Sequence, residues 1–230
     1  MAEFTLVVGN KNYSSWSLRA WLALKTTGAS FDEVVVPLRE TETRATILRY
    51  SPSGKVPCLV HGTITVWETL AIGEYLAELF PDAGLWPKNA AARAHARAIA
   101  AEMHAGFSAL RRLLPMNIRA KPYAGFPIPE DAQRDINRIE AIWRDARDRF
   151  GDATNGGGPF LFGRFSLADA MYAPVAARFA LYPVTLGEEA MRYRDVVMGH
   201  PLMVEWRAAA QAEPWMIPVF ELDSQGNPQS

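Results

Sequence analysis

The sequence holds a single cysteine, Cys58, in 230 residues, which excludes an intramolecular disulfide, a zinc–thiolate cluster and a dithiol redox pair. A lone thiol fits a reducing compartment, and the cytoplasm is the expected location. Net charge is nearly absent: 24 Lys and Arg stand against 25 Asp and Glu. A dedicated nucleic-acid binder carries a strongly basic domain, so that class is set aside. No apolar run approaches the roughly 20 residues that cross a bilayer. The start, Met1-Ala2-Glu3-Phe4, lacks the basic lead and apolar stretch of a secretory signal, so the chain is expected to begin there and to stay off the membrane. Internal repeats are lacking. His61, His95, His104 and His200 show no metal-ligand spacing and are expected at the surface or in the core.

What is present describes an ordinary globular protein, 49% hydrophobic and 21% charged, long enough for two modest domains or one large one. The apolar, β-branched run from Phe4 to Val8, closed by Gly9, predicts a strand. Ser14, Ser15 and Ser17 then precede Leu18, Ala20, Trp21, Leu22 and Leu24, the apolar face of a helix ended by Gly28. Val34 to Val36 predicts a second strand stopped by Pro37, and Arg39 to Arg49 a weaker helix. Val56 to Val60 and Thr63 to Trp67, joined through His61-Gly62, predict a β-hairpin. From Glu68, the residues Leu70, Ile72, Tyr75, Leu76, Leu79 and Phe80 trace another helical face, stopped by Pro81.

Beyond this point Ala, Arg and Leu dominate, predicting helices over 90–114 and 130–150, from Ser166 onward, and over 201–212. Ser166-Leu167-Ala168-Asp169 reads as a capping box, and Pro174 is expected to kink its helix. Gly151 to Pro159 reads as a glycine-rich loop, and 221–230 as a frayed tail without apolar anchors. The expected organisation is a mixed α/β domain over 1–81, a linker over 82–88 and an all-helical domain over 89–230.

Three places carry chemistry. Pro57, at the head of a hairpin strand, removes a ladder donor. It is either a trans proline on an edge, which base rates favour, or a cis proline presenting the Val56 backbone to an extended peptide ligand. Glu68-Thr69 opens a helix whose first N–H groups favour an anion, with the Thr69 hydroxyl as a further donor; plain capping is the alternative. Asn12-Tyr13-Ser14-Ser15-Trp16-Ser17-Leu18-Arg19 sets hydroxyls at a helix start, where the dipole and an O–H donor favour a thiolate. Capping alone would explain one of the three serines. With no histidine near in sequence and no Gly-x-Ser-x-Gly elbow, the serines read as donors rather than nucleophiles.

Taken in order, that serine cluster, Ser51-Pro52-Ser53-Gly54-Lys55-Val56-Pro57, Glu68-Thr69 and Phe162-Gly163-Arg164-Phe165-Ser166-Leu167-Ala168-Asp169 resemble the soluble glutathione transferase family over nearly the whole chain. The resemblance implies an N-terminal thioredoxin-like βαβαββα domain, a C-terminal helical bundle domain and a homodimer. It implies that Pro57 is cis, that Val56 pairs with the cysteinyl part of glutathione, that Glu68 and Thr69 grip the γ-glutamyl end, and that Lys55 lies near the glycyl carboxylate. The serine-type, zeta-like classes match best, so Ser14 or Ser15 is the expected thiol partner. Ser14 is preferred, and Tyr13 is the alternative used by other classes. The implied activity is attack of the glutathione thiolate on a small electrophile. A glutathione-dependent cis–trans isomerase of the maleylacetoacetate type and a non-catalytic binding protein on the same fold are the rival readings. Cys58 reads as an inert core thiol.

Charge adds one expectation of its own. Between Ala83 and Pro129, Lys88, Arg93, Arg97, Arg111, Arg112, Arg119 and Lys121 face a single acid, Glu102. Arg111, Arg112 and Arg119 are therefore candidates to meet an acidic co-substrate, against the plainer reading of a solvated helix face. Met103, Phe107, Met116, Tyr123, Phe126 and Tyr172 line either an apolar co-substrate pocket or the core. The proline-stiffened loop over 121–129 suits a place above a cleft.

Overall fold

The computed structural model describes residues 2–151, 157–223 and Asn227; the middle of the expected glycine-rich loop and most of the expected frayed tail lie outside them. Alternation along β1 (Phe4–Gly9) organises the first half. Phe4, Leu6 and Val8 enter the main core, while Val7 enters a smaller one with Val36, Ile47 and Cys58. β1 pairs in parallel with β2 (Phe31–Val36) and antiparallel with β3 (Cys58–His61), which pairs antiparallel with β4 (Ile64–Trp67). The sheet order is β2-β1-β3-β4. The parallel pair needs a crossover, supplied by α1 (Ser15–Thr26). α1 and α3 (Thr69–Leu79) cover the main-core face, and α2 (Thr43–Leu48) covers the other through Ile47. β2 is longer than expected because Asp32 and Glu33 interrupt its apolar pattern; charged residues are common on an edge strand. Cys58 is fully buried, its thiol donating to the Tyr50 carbonyl at 3.4 Å, and burial pushes its pKa up.

The second half is helical: α4 (Ala90–Ala105), α5 (Ser108–Leu113), α6 (Glu130–Phe150), α7 (Leu167–Leu181), α8 (Glu188–Gly199) and α9 (Pro201–Ala212). The single helix expected over 90–114 is in fact two. Gly106 ends α4, and Phe107, at φ +53°, turns its ring into the core before α5 starts. α8 was not anticipated, although Ala190, Tyr193 and Val197 bury one face at helical spacing. α7 passes through Pro174 without a break. The expectation that the tail lacks anchors is corrected up to Asp223, because Leu222 is buried and Glu221 accepts the Asn117 amide at 3.0 Å. The main core runs through both halves, with Trp21 of α1 edge-on to Trp206 of α9 at 5.3 Å.

His200 makes the join between α8 and α9 sensitive to pH. Its Nδ1 accepts the Leu202 N–H at 3.3 Å and so caps α9, a role that requires a neutral ring. Burial depresses its pKa. A depressed folded-state pKa contributes stability above the unfolded histidine value of about 6.5, lost as pH falls through the folded value. Melting temperature is expected to drop between pH 7.5 and 5, and His200→Asn, a cap that does not titrate, should flatten part of that slope. Burial also depresses His95, which accounts for a share of the remainder.

Candidate active site

A cavity of about 200 Å³ lies where four segments meet: Trp16 from α1, Ser53 to Pro57 ahead of β3, Glu68 at the mouth of α3, and His104 from the last turn of α4. Ser53, Lys55, Val56 and Pro57 form one wall, and the Val56–Pro57 bond is cis. The turn is held by Ser53 Oγ, which accepts the Lys55 N–H at 3.1 Å. Glu68 sits at φ +73°, a region costly for a residue with a Cβ, and its side chain does not cap α3. The positive end of α3 therefore begins at the cavity edge without an internal carboxylate on it. Glu68→Gly is expected to leave stability unchanged or raise it by about 1 kcal/mol while removing the carboxylate from the cavity. Urea denaturation of the two proteins side by side checks this.

Thr69 does not present its hydroxyl as expected. It is fully buried, and its Oγ1 donates to the Trp16 carbonyl at 3.2 Å, tying the start of α3 to the first turn of α1. Ser14 is the N-cap of α1. Its Oγ accepts the Ser17 N–H at 3.3 Å and donates to Ser17 Oγ at 2.7 Å, and Ser17 Oγ accepts the Gly9 N–H at 2.9 Å. The Ser14 proton is thus engaged. Ser15 donates only toward the Met116 thioether at 3.7 Å, a weak acceptor that a stronger one displaces readily. Both serines are nearly buried, and the cavity wall at this corner is Trp16.

Tyr13 turns away from the cavity. Its hydroxyl donates to Glu221 and accepts from Arg119 Nη2 at 3.0 Å and the Ile217 N–H at 3.2 Å. Desolvation, then Glu221, pushes its pKa up, which keeps it protonated. Arg119 is occupied in the same network, donating to the Glu213 and Trp215 carbonyls at 2.7 Å each. It clamps the C-terminal segment rather than meeting a co-substrate. Tyr123 packs on Tyr182 and Phe126 and borders a different cavity beside Leu222. Arg112 lies exposed on α5. Met103, Phe107, Met116, Phe126 and Tyr172 are all core residues.

Arg111 does belong near the site, its guanidinium 5.2 Å from the centre of the Trp16 ring. Arg19 stacks on the same ring at 4.3 Å. Arg19 is fully buried, donates through Nε to the Met171 carbonyl at 2.8 Å, and has no acceptor for Nη1 or Nη2 among the described residues. Desolvation, then Arg178 and Arg111, drives its pKa well down, so burial and like charges together disfavour its charged form beside Trp16. His104, expected at the surface or in the core, instead lines the cavity. Its ring contacts Trp16 at 5.1 Å, and its Nε2 lies 3.7 Å from Glu68 Oε2. Nothing in its sequence spacing marks it, because the contact forms only when α4 meets the mouth of α3.

A βαβαββα sheet unit with a cis proline ahead of β3, followed by a helical bundle, defines the thioredoxin-like fold with an appended helical domain. The glutathione S-transferase N-terminal domain family matches residues 13–79, and the glutathione S-transferase C-terminal domain family matches 90–209. The chain belongs to the glutathione S-transferase family. A probable maleylacetoacetate isomerase from Caenorhabditis elegans is 38% identical over 112 residues, 49% of this chain and 51% of the relative. A dichloromethane dehalogenase from Methylorubrum extorquens is 45% identical over 58 residues, 24% of this chain and 20% of the relative. The match thus spans about half the length of the first relative and a fifth of the second. Among solved structures, a glutathione transferase homolog from Burkholderia with bound glutathione is similar at a TM-score of 0.66 and 25% identity, covering 91% of this chain and 99% of that one. A theta class glutathione S-transferase from Xanthomonas axonopodis pv. citri shares the fold at a TM-score of 0.60 and 24% identity, covering 93% and 99%.

Proposed function

We propose that this protein is a glutathione transferase that binds glutathione in the cavity of Ser53 to Pro57 and Glu68 and activates its thiol as the thiolate. The observation that carries this reading is the convergence of Lys55, Val56, cis Pro57 and Glu68 on one cavity at the open end of α3, beside the first turn of α1. Val56 supplies backbone groups to the cysteinyl part, Lys55 faces the glycyl carboxylate, Glu68 takes the γ-glutamyl ammonium, and the N–H of Thr69 meets the γ-glutamyl carboxylate. Ser15 replaces Ser14 as the favoured donor to the thiolate, because the Ser14 proton is committed within the cap. Arg111, over the Trp16 ring, adds positive potential on that side of the cavity, which favours the anion. The thiol proton leaves to solvent, and the sulfur forms its bond to an electrophilic carbon as the leaving group departs with the bonding pair. Contact with the Trp16 ring, which lines the cavity, supports Arg111 as the residue of the basic segment that meets an acidic co-substrate.

The similarity to a probable maleylacetoacetate isomerase supports a second reading, in which the thiolate adds to an activated double bond, rotation follows and elimination returns glutathione intact. A homodimer in the cytoplasm is the assembly and location proposed with either reaction; Ile64 and Trp67 on edge strand β4 are exposed apolar residues available to a second copy. The test is an ultraviolet titration of the glutathione thiolate with and without stoichiometric protein. A bound thiol ionising about one to two pH units below the free value near 8.5 is expected. No binding would leave a non-catalytic protein on this fold. Turnover of a cis-enone diacid without consumption of glutathione would select the isomerase.

A further inference from the structure

The loop that carries the chain from β1 into α1 is fastened by the other half of the molecule. Each backbone N–H and C=O of Lys11 and Asn12, immediately ahead of Tyr13-Ser14-Ser15, is bonded there. The Lys11 carbonyl accepts the Trp206 indole N–H at 3.0 Å, and the Asn12 carbonyl accepts the Ile118 N–H at 3.1 Å. The N–H groups share one carboxylate: Glu213 Oε1 accepts from Lys11 at 2.8 Å and Oε2 from Asn12 at 3.2 Å. The Asn12 side chain donates to Asn117 Oδ1 at 2.9 Å and accepts the Arg119 N–H at 2.8 Å. Ser15 Oγ meets Met116 of that same segment at 3.7 Å, so the residues that receive the serine hydroxyl also hold the loop ahead of it. Glu213 ties the two together, because its carbonyl accepts Arg119 Nη1 at 2.7 Å while its carboxylate holds the loop. It is itself fixed at the end of α9, whose Trp206 packs edge-on against Trp21 of α1. A loop whose backbone partners come from outside takes its position from the groups that supply them.

We propose that Glu213 is a positioning residue for thiolate formation: by accepting the Lys11 and Asn12 N–H groups it fixes the first turn of α1 and holds the Ser15 hydroxyl where the glutathione sulfur meets it. The inference rests on the reading of Ser15 as the thiolate donor. Glu213 does not line the cavity of Trp16, Lys55 and Glu68, so its effect reaches the sulfur only through the serine. A donor displaced by a fraction of an ångström loses much of its hold on a developing anion, which is why a remote carboxylate governs the step. The cavity is thus walled mainly by the first half of the chain, while the position of its donor is set from the end of α9.

The experiment is the ultraviolet titration of bound glutathione, with kcat/KM against pH beside it, on the full chain and its variants. Glu213→Ala is expected to raise the pH at which the bound thiol ionises by about 0.5 to 1 unit. Below that pH, kcat/KM should fall about threefold to tenfold, with KM for glutathione within about twofold. Glu213→Gln keeps the length of the side chain and one acceptor oxygen and should give about half the shift; it carries the test if the alanine variant does not fold. In a Ser15→Ala background, Glu213→Ala should change the ionisation by less than about 0.2 unit, because the coupling runs through the hydroxyl. Glu205→Ala breaks the exposed bond from α9 to Lys25 at the other end of α1 and is expected to leave the ionisation where it was. An unmoved ionisation or lost glutathione binding in a folded Glu213 variant, an undiminished shift in the Ser15→Ala background, or an equal shift in Glu205→Ala would each overturn the proposal. If Ser15→Ala by itself left the ionisation unmoved, the reading of Ser15 as donor would fall and this inference with it.

Discussion

Asp169→Ala is expected to cost about 3–5 kcal/mol of stability, the range for removing one partner from a buried, charged network. The carboxylate is fully buried inside the first turn of α7. Its Oδ2 accepts the Ser166 N–H and the Ser166 hydroxyl at 2.9 Å each, and its Oδ1 accepts the Leu161 N–H at 3.0 Å and the Tyr193 hydroxyl at 2.9 Å. The substitution strands four donors at once, joining the 161–166 loop, α7 and α8. Burial pushes the Asp169 pKa up while these bonds oppose it, so the network offsets a desolvation cost that the alanine variant does not recover. A fall in melting temperature on the order of 10 °C is expected. Asp169→Asn, which keeps an acceptor but turns an amide toward some of those donors, should fall between. Glu130→Ala, in an exposed pair with Arg134, should change little. If Asp169→Ala melted like Glu130→Ala, the network would not be a stability determinant.

Ser15→Ala is expected to lower kcat/KM with glutathione about 10- to 100-fold at unchanged stability, while Ser14→Ala should lower stability by about 1 kcal/mol and activity much less. The two hydroxyls differ in what already holds them. Ser14 is locked in a chain from Ser17 to the Gly9 backbone, so its loss uncaps α1. Ser15 has only a thioether at 3.7 Å to give up. Steady-state kinetics with a chlorodinitrobenzene, run beside urea denaturation of both variants, separates the effects. Loss of activity at intact stability in Ser14→Ala, with Ser15→Ala active, would return the role to Ser14.

These two cases show where sequence reading succeeds and where it stops. Ser166-Leu167-Ala168-Asp169 was readable because a cap and its acceptor lie three residues apart, and three residues make one helical turn. The order Ser14-Ser15, Lys55-Val56-Pro57, Glu68-Thr69 was readable for the same reason, each group being a local device. The roles of Tyr13 and Arg119 were not legible because their partners lie in 213–221, about 100 to 200 residues away. The break at Gly106 and Phe107 was missed because helix propensity on both sides is high, and burial of Phe107 in the shared core overrides it.

Local patterning determined the βαβαββα order, most of the helices, the cap of α7 and the segments from which a site is built, because hydrophobic periodicity and capping act over one or two turns. Tertiary structure alone decided that the Ser15 hydroxyl meets the Met116 thioether, that Thr69 braces α1, that Tyr13 and Arg119 belong to the C-terminal clamp, and that His104 stands beside Trp16. Those outcomes depend on contacts between elements far apart in the chain. A hydroxyl, imidazole or guanidinium acquires its role from the donor, acceptor or charge that packing brings within a few ångströms of it.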